Sequence, residues 1–121
     1  MPEEVYTNNG VIIIRSWGCV SEEEIYTSKE KVKEIAEETG LNKLLIDARQ
    51  RTALPGITAL YLFVGSIAAD PLLRRLKCAL VFSEETTEES VFLEDAANNR
   101  GIRFKLFQTK EEAFNWLKGD V

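Results

Sequence analysis

An apolar strand followed by a helix without charge constrains this chain more than any other feature. Residues 44–46 are Leu, Leu and Ile, an unbroken apolar run that is typical of a central strand covered on both faces. The run stops at Asp47, and we interpret residues 47–51 as a charged turn. Pro55 suits the first turn of a helix, where its missing N–H is not needed. Because no charged residue occurs from there to Ala69, the sequence predicts a helix over residues 55–69 that lacks a polar side.

The segments around this unit predict a regular alternation of strands and helices. Asn-Asn-Gly at residues 8–10 lies between two strand-like segments and favours a tight hairpin. Ser21 and Glu24 have the spacing of a capping box and Gly40 is a stop signal, so a helix is expected over residues 21–39. The whole pattern predicts an α/β fold with a mixed, mostly parallel sheet of about five strands, an N-terminal β-hairpin and about four helices.

Length and charge narrow the classes of function. A chain of 121 residues fits a single domain over residues 1–121. The net charge of −5, without clustered lysine and arginine, opposes nucleic-acid binding. Since the sequence has no histidine, a Ser/His/Asp triad, a Cys/His dyad and a His-ligated metal site are excluded. We therefore expect no catalytic residue, no metal and no cofactor.

The two cysteines and the absence of a targeting segment indicate a compartment. Cys19 and Cys78 are too few for a disulfide framework, and without a secretory signal they are expected to be reduced thiols of a cytoplasmic protein. Cys78 lies in an apolar stretch and is expected in the core.

The uncharged helix has more apolar surface than one sheet face can cover. Leaving Leu62 and Phe63 in water forfeits roughly 1.5 to 3 kcal/mol each, so a second cover is expected. A membrane span is opposed by Pro55, Gly56 and Gly65, which leaves the chain's own residues 72–76, a second copy in a homodimer, or a lipid or other apolar ligand. The residues assigned to this ligand or partner surface are Leu54, Ile57, Ala59, Leu62, Phe63, Ser66 and Ile67.

A polar cluster is expected where the parallel strands end. Asp47, Arg49, Arg51 and Glu84 follow predicted strands, whose carboxyl ends gather ligands in open α/β sheets. A pair of carboxylates can do acid/base work, but an aspartate after a strand is ordinarily a turn former. The arginines suit an anion near Pro55, and mutual compensation with the carboxylates is the simpler interpretation. Neither the Walker spacing nor the dinucleotide glycine pattern occurs.

Two stretches carry a resemblance to a known family. They are LLIDARQRTALPGITALYLFVG at residues 44–65 and FLEDAANNRGIRFKLFQTKEEAFNWL at residues 92–117. With them, nearly the whole chain resembles the SpoIIAA-like, or STAS, family, which includes anti-sigma-factor antagonists and a branch similar to lipid-carrying Sec14-type domains. The resemblance implies that fold, with a protein partner or an apolar ligand.

The phosphorylation motif of those antagonists is altered here. Their Asp-Ser-Ser-Gly motif, in which a serine is phosphorylated to release a partner kinase, falls on Pro-Gly-Ile-Thr at residues 55–58. The aspartate and serines are absent, so Thr58, displaced by one position, and Thr52 are the candidate phosphate acceptors.

Together these features predict a non-enzymatic binding module of the cytoplasm, with peripheral contact at the inner membrane face as one location. It is expected to bind an apolar ligand or lipid, a membrane surface or a regulatory protein partner through residues 55–69, without a transmembrane span, and a homodimer remains open. The alternative is an anti-sigma-factor-antagonist-like partner-switching regulator without the usual phosphorylatable serine.

Overall fold

The structure is a computed structural model that describes residues 3–18, 21–51, 57–81 and 88–119. Its strands are β1 (Glu3–Asn8), β2 (Val11–Gly18), β3 (Lys43–Arg51), β4 (Lys77–Val81) and β5 (Arg103–Phe107). Its helices are α1 (Glu22–Thr39), α2 (Ile57–Ala68), α3 (Glu88–Asn99) and α4 (Lys110–Lys118), with a 3-10 turn at Leu73–Arg75. Thr52, Leu54, Pro55, Glu84 and Cys19 lie outside the described residues.

The described strands form one mixed sheet in the order β1-β2-β3-β4-β5. β1 and β2 are antiparallel, and each later strand is parallel to the one before it. The hairpin turns through Asn9 and Gly10, whose φ angles of 52° and 78° lie in the left-handed region. The predicted α/β class, with a mostly parallel sheet and an N-terminal hairpin, is confirmed.

The helices are divided unequally between the two faces of the sheet. Because parallel strands that follow one another in order are joined by right-handed crossovers, α1, α2 and α3 lie on one face. Val32 of α1, Val64 of α2 and Ala97 of α3 share one buried cluster. Ala113 and Leu117 of α4, both 0% exposed, belong to a second cluster on the opposite face. α2 is therefore the middle helix of a layer of helices.

Side-chain caps hold the ends of α1 and α4. Ser21 Oγ accepts a hydrogen bond from the Glu24 amide at 3.1 Å, and Glu24 Oε1 accepts one from the Ser21 amide at 3.1 Å, which completes the predicted capping box. Gly40 ends α1 with a φ of 74°, as expected for a glycine stop. Thr109 caps α4 through the Glu112 amide at 3.2 Å.

The charged turn expected at residues 47–51 is wrong, because β3 continues through this segment to Arg51. Beyond Asp47, where the pairing with β4 ends, β3 still pairs with Trp17 and Gly18 of β2 across a bulge. Ala48 is fully buried in the cluster under α1 to α3. The segment is thus an amphipathic strand, in which an apolar residue alternates with charged ones.

A buried glutamate fastens the hairpin to α1. The Glu3 carboxylate accepts hydrogen bonds from Ser28 Oγ of α1, at 2.6 Å, and from Ser16 Oγ of β2. Both serines are buried, and so is Glu3 at 8% exposure. A carboxylate can be buried where hydroxyl donors meet it, so this contact joins three elements instead of destabilising them.

The segment after α2 returns to the core. Asp70 Oδ1 accepts from the Leu72 amide at 3.0 Å, which starts the turn towards β4. Leu73 and Leu76 are 2% and 3% exposed and lie in the cluster beneath the helices. This segment contributes to the core and leaves Leu62 of α2 exposed, unlike the cover that residues 72–76 were considered to provide. Cys78 is buried in β4, as expected. Within the described residues, no helix combines the length and apolarity needed to cross a membrane.

Candidate binding surface

The inner side of α2 is fixed by the core. Val64 is 2% exposed, and Ile67 and Ala68 pack against the same cluster. Ile67 follows Val64 by three positions and so lies on the same side of the helix. Ile67 is thus partly buried against the core, and its assignment to the ligand or partner surface stays a prediction.

Among the described side chains of α2, a leucine is exposed on the outer side of the helix. Leu62 is 60% exposed, the highest value among the described large apolar side chains, and Val91 of α3 follows at 42%. Gly65 and Ser66 lie one helical turn beyond Leu62 on the same side. We call Leu62, Gly65 and Ser66 the outer strip of α2. Ile57, Thr58 and Ala59 form the first turn of the helix, and their side chains lie outside the described part of the structure.

α1 covers part of the side chains that were assigned to an external surface. The ring of Phe63 meets the ring of Tyr26 edge to face, with centroids 5.6 Å apart. Lys29 Nζ donates to Ser66 Oγ at 3.3 Å, and Ser66 Oγ donates to the Phe63 carbonyl at 2.7 Å. The second body that covers Phe63 is thus a neighbouring helix of the same chain.

An ion pair closes the far end of the α1–α2 contact. Lys33 Nζ lies 2.8 Å from Asp70 Oδ2, just after the C-terminal end of α2. The hydrogen bond to Asp70 raises the pKa of Lys33, and the hydrogen bond from Lys33 lowers that of Asp70. Tyr26, Lys29 and Lys33 follow one another at intervals of three and four residues, which places them along one side of α1. Their helical spacing is the sequence feature from which these three residues could have been predicted to share one side of α1.

α3 approaches the outer strip from the other side. A Cβ atom placed on Gly65 would lie 2.7 Å from Nη1 of Arg100. The guanidinium group therefore occupies the space that a side chain at position 65 would need. A glycine at this position permits the close approach.

The polar residues at the end of β3 lie on the opposite face of the sheet. Leu45 belongs to the cluster under α4, so Asp47, two residues later, faces α4 and not α2. Asp47 accepts from Nε and Nη2 of Arg49, both at 2.8 Å. Burial raises the pKa of Asp47, but its hydrogen bonds and charge interaction with Arg49 outweigh burial and hold the pKa below its usual range. The described members of the two sets, Asp47 with Arg49 and Leu62 with Ser66, therefore lie on opposite faces of the sheet.

Beside Asp47, an arginine of β2 gathers polar neighbours that sequence reasoning missed. Arg15 lies 3.3 Å from Glu4 of β1, donates to Gln50 Oε1 at 3.1 Å and stands 5.1 Å from the centre of the Trp17 ring. Arg15 is paired with Asp47 across β2 and β3. This contact joins residues that are distant in the sequence, so it could not be predicted from local patterns. Among the described residues, no group of three or more metal-ligating side chains is found.

Several solved structures are similar to this chain over nearly its whole length. An anti-sigma factor antagonist from Mycobacterium paratuberculosis matches with a TM-score of 0.64 and 16% identity, over 96% of this chain and 92% of that one. SpoIIAA in its unphosphorylated form matches with a TM-score of 0.63 and 12% identity, over 98% of both chains. The chain has the SpoIIAA-like fold. A third SpoIIAA-like protein, from Shewanella loihica PV-4, matches with a TM-score of 0.62 and 15% identity, over 95% of this chain and 91% of that one.

At these identities the SpoIIAA-like fold is what the chain shares with those proteins. No protein-family model and no curated relative matches the sequence. In this SpoIIAA-like fold, α2 is the helix that follows β3, and Leu62 of its outer strip is the most exposed large apolar side chain among the described residues.

Proposed function

We propose that the chain is a non-catalytic binding module that recognises another protein through the outer strip of α2. The observation that carries this proposal is Leu62, which is 60% exposed on a helix without any charged residue and is followed by a covered Phe63 and a buried Val64. We take this exposed aliphatic side chain, beside the small residues Gly65 and Ser66, as the proposed point of contact.

The fold neighbours support a protein partner. Two of them are named as anti-sigma factor antagonists, a name that assigns them a protein target. The present chain shares their fold at 16% and 12% identity. A partner that is itself a protein agrees with an exposed helix side.

The packing of α2 argues against an apolar small molecule as the main ligand. Such ligands are usually enclosed in concave sites, whereas Phe63 and Ile67 already pack within the chain. The remaining exposed part of Leu62 is worth roughly 1 to 2 kcal/mol when covered, which is about tenfold in affinity. One exposed leucine thus suits a modest contribution to a larger protein contact.

Thr58 and Thr52 stay predictions as phosphate acceptors. Thr58 precedes Leu62 by about one helical turn, so a phosphate there would add negative charge beside the proposed contact. Treating the purified chain with a serine/threonine kinase, followed by mass mapping, checks this separately from the binding proposal.

The test uses a photo-reactive amino acid at position 62 in living cells, with the same amino acid at exposed Lys31 of α1 as a control. We expect one protein to cross-link reproducibly at position 62 only. The purified partner should bind the unmodified chain and lose more than tenfold in affinity for Leu62→Asp. Binding that is unchanged by Leu62→Asp, or a co-purified lipid lost in that variant, would overturn the proposal.

A further inference from the structure

Two cations approach the outer strip from opposite sides. Lys29 of α1 reaches Ser66 with an Nζ–Oγ distance of 3.3 Å. Arg100, just after α3, places Nη1 2.7 Å from the position of a Cβ on Gly65. Gly65 and Ser66 lie one turn beyond Leu62, so the exposed leucine is followed by a strip with a positive charge at each edge.

This positive charge contrasts with the rest of the chain. The net charge is −5, and α2 itself carries no charge. On α1, several carboxylates are exposed: Glu23, Glu30, Glu34, Glu37 and Glu38. Two of them, Glu30 and Glu37, lie one helical turn from Lys33 and, after Asp70, contribute to its raised pKa. The cationic site is therefore narrow, and it is flanked by a negatively charged helix surface.

From this arrangement we infer the chemistry of the partner, an inference that rests on the proposed function. The partner presents a helical segment in which an aliphatic side chain covers Leu62 and a carboxylate, about one turn away, lies between Lys29 and Arg100. The interaction needs neither cation to be free of its present contacts, because a carboxylate at this position joins the existing network.

A narrow site favours a protein segment over an anionic membrane. A membrane surface extends over tens of ångströms, well beyond a Debye length of about 8 Å, and would bring its charge against the exposed carboxylates of α1. A single helix of about 10 Å diameter contacts only the strip and its two cations. Charge complementarity on this small scale therefore selects an acidic, amphipathic segment.

The test uses a phage-displayed library of amphipathic peptides about 15 residues long, the length at which isolated helices begin to form. The library is selected on the full chain and depleted on Leu62→Asp. The enriched peptides are then synthesised, and their binding is measured by fluorescence anisotropy. We expect them to combine Leu, Ile or Met with Glu or Asp one helical turn apart.

Substitutions of Lys29 test the charge directly. Lys29→Gln should weaken binding by roughly threefold to fivefold, as for an exposed charge pair, and Lys29→Glu should weaken it further. A peptide with its acidic residue replaced by lysine should regain affinity for Lys29→Glu. Lys31→Glu is the matched control, since it makes the same change on the exposed side of the same helix and should leave affinity unchanged. Thermal unfolding of each variant by circular dichroism checks that the fold is kept.

The outcomes separate this inference from the proposed function. Peptides that depend on Leu62 but show no acidic preference and no response to Lys29→Glu would refute the inference and leave the function standing. Failure to recover any peptide that depends on Leu62 would refute both. Binding to vesicles of phosphatidylcholine and phosphatidylglycerol, or dimerisation, that is lost in Leu62→Asp would also refute both.

Discussion

Gly65→Ala tests the packing of the outer strip, because two opposing effects meet at this residue. Glycine inside a helix is less favourable than alanine by about 1 kcal/mol, so the substitution should stabilise α2. The new Cβ, however, would lie 2.7 Å from Nη1 of Arg100, and one of the two groups must move. The free energy of unfolding reports which effect is larger.

The geometry sets the expected size of the change. Nη1 must retreat by about 1 Å to reach an ordinary non-bonded separation. It is the far end of a flexible side chain, so the movement loses at most about 1 kcal/mol, as for an exposed polar contact. We therefore expect Gly65→Ala to raise the free energy of unfolding by about 0 to 1 kcal/mol.

A double-mutant cycle with Arg100→Ala isolates the contact. Urea unfolding followed by circular dichroism should show that Gly65→Ala stabilises the Arg100→Ala variant by the full value of about 1 kcal/mol, more than it stabilises the unmodified chain. Equal effects in the two backgrounds would show that Arg100 does not occupy the space above Gly65. If Gly65→Ala lowers the free energy of unfolding in both backgrounds, a group less mobile than the Arg100 side chain must lie above Gly65. Either result refutes the expectation.

Three further measurements address the core and the polar end of β3. Leu117→Ala should lower the free energy of unfolding by about 2 to 5 kcal/mol in urea, because the side chain is fully buried against the sheet. Burial raises the pKa of the Cys78 thiol to about 12, so in a Cys19→Ser variant it should resist a thiol reagent at pH 8 until urea unfolds the chain. Arg49 holds the folded pKa of Asp47 below its unfolded value near 4, despite burial. The ionised Asp47 therefore stabilises the fold above about pH 4, and this contribution disappears as the pH falls through the lower folded pKa. Asp47→Asn should reduce the loss of stability on acidification, measured by urea midpoints at pH 6 and pH 3.

The order of strands and helices could be predicted because local signals mark each boundary. The capping box at Ser21, the glycine stop at Gly40 and the hairpin turn at Gly10 act over a few residues, and the structure keeps all of them. The full extent of β3 could not be predicted from apolar residues, because the unbroken apolar run ends at Ile46 and the strand continues to Arg51. The alternation of Asp47, Ala48 and Arg49 was present, but its meaning depends on the pairing with β2, a contact between distant segments.

The candidate surface also depends in part on contacts between segments that are distant in the sequence. The exposure of Leu62 follows from an apolar excess on one helix, which the sequence contains. The contact of Phe63 with Tyr26 could not be predicted in this way. Tyr26 becomes its neighbour only when β2, β3 and β4 lie side by side and place α1 next to α2. Likewise, the separation of Asp47 from α2 depends on which face of β3 each residue takes.

The position of α2 in the layer explains why its sequence has so little charge. A helix at the edge of a layer has one neighbour and a wide exposed side, whereas α2 has α1 and α3 on its two sides as well as the sheet beneath. Both neighbours bring a cation to α2, since Lys29 Nζ donates to Ser66 Oγ and the Arg100 guanidinium lies beside Gly65. Among the described apolar side chains of α2, Phe63, Val64, Ile67 and Ala68 pack within the chain, and Leu62 is exposed. In the proposed contact, one leucine has little affinity of its own, so we expect the cations beside it to contribute to the selection of a partner.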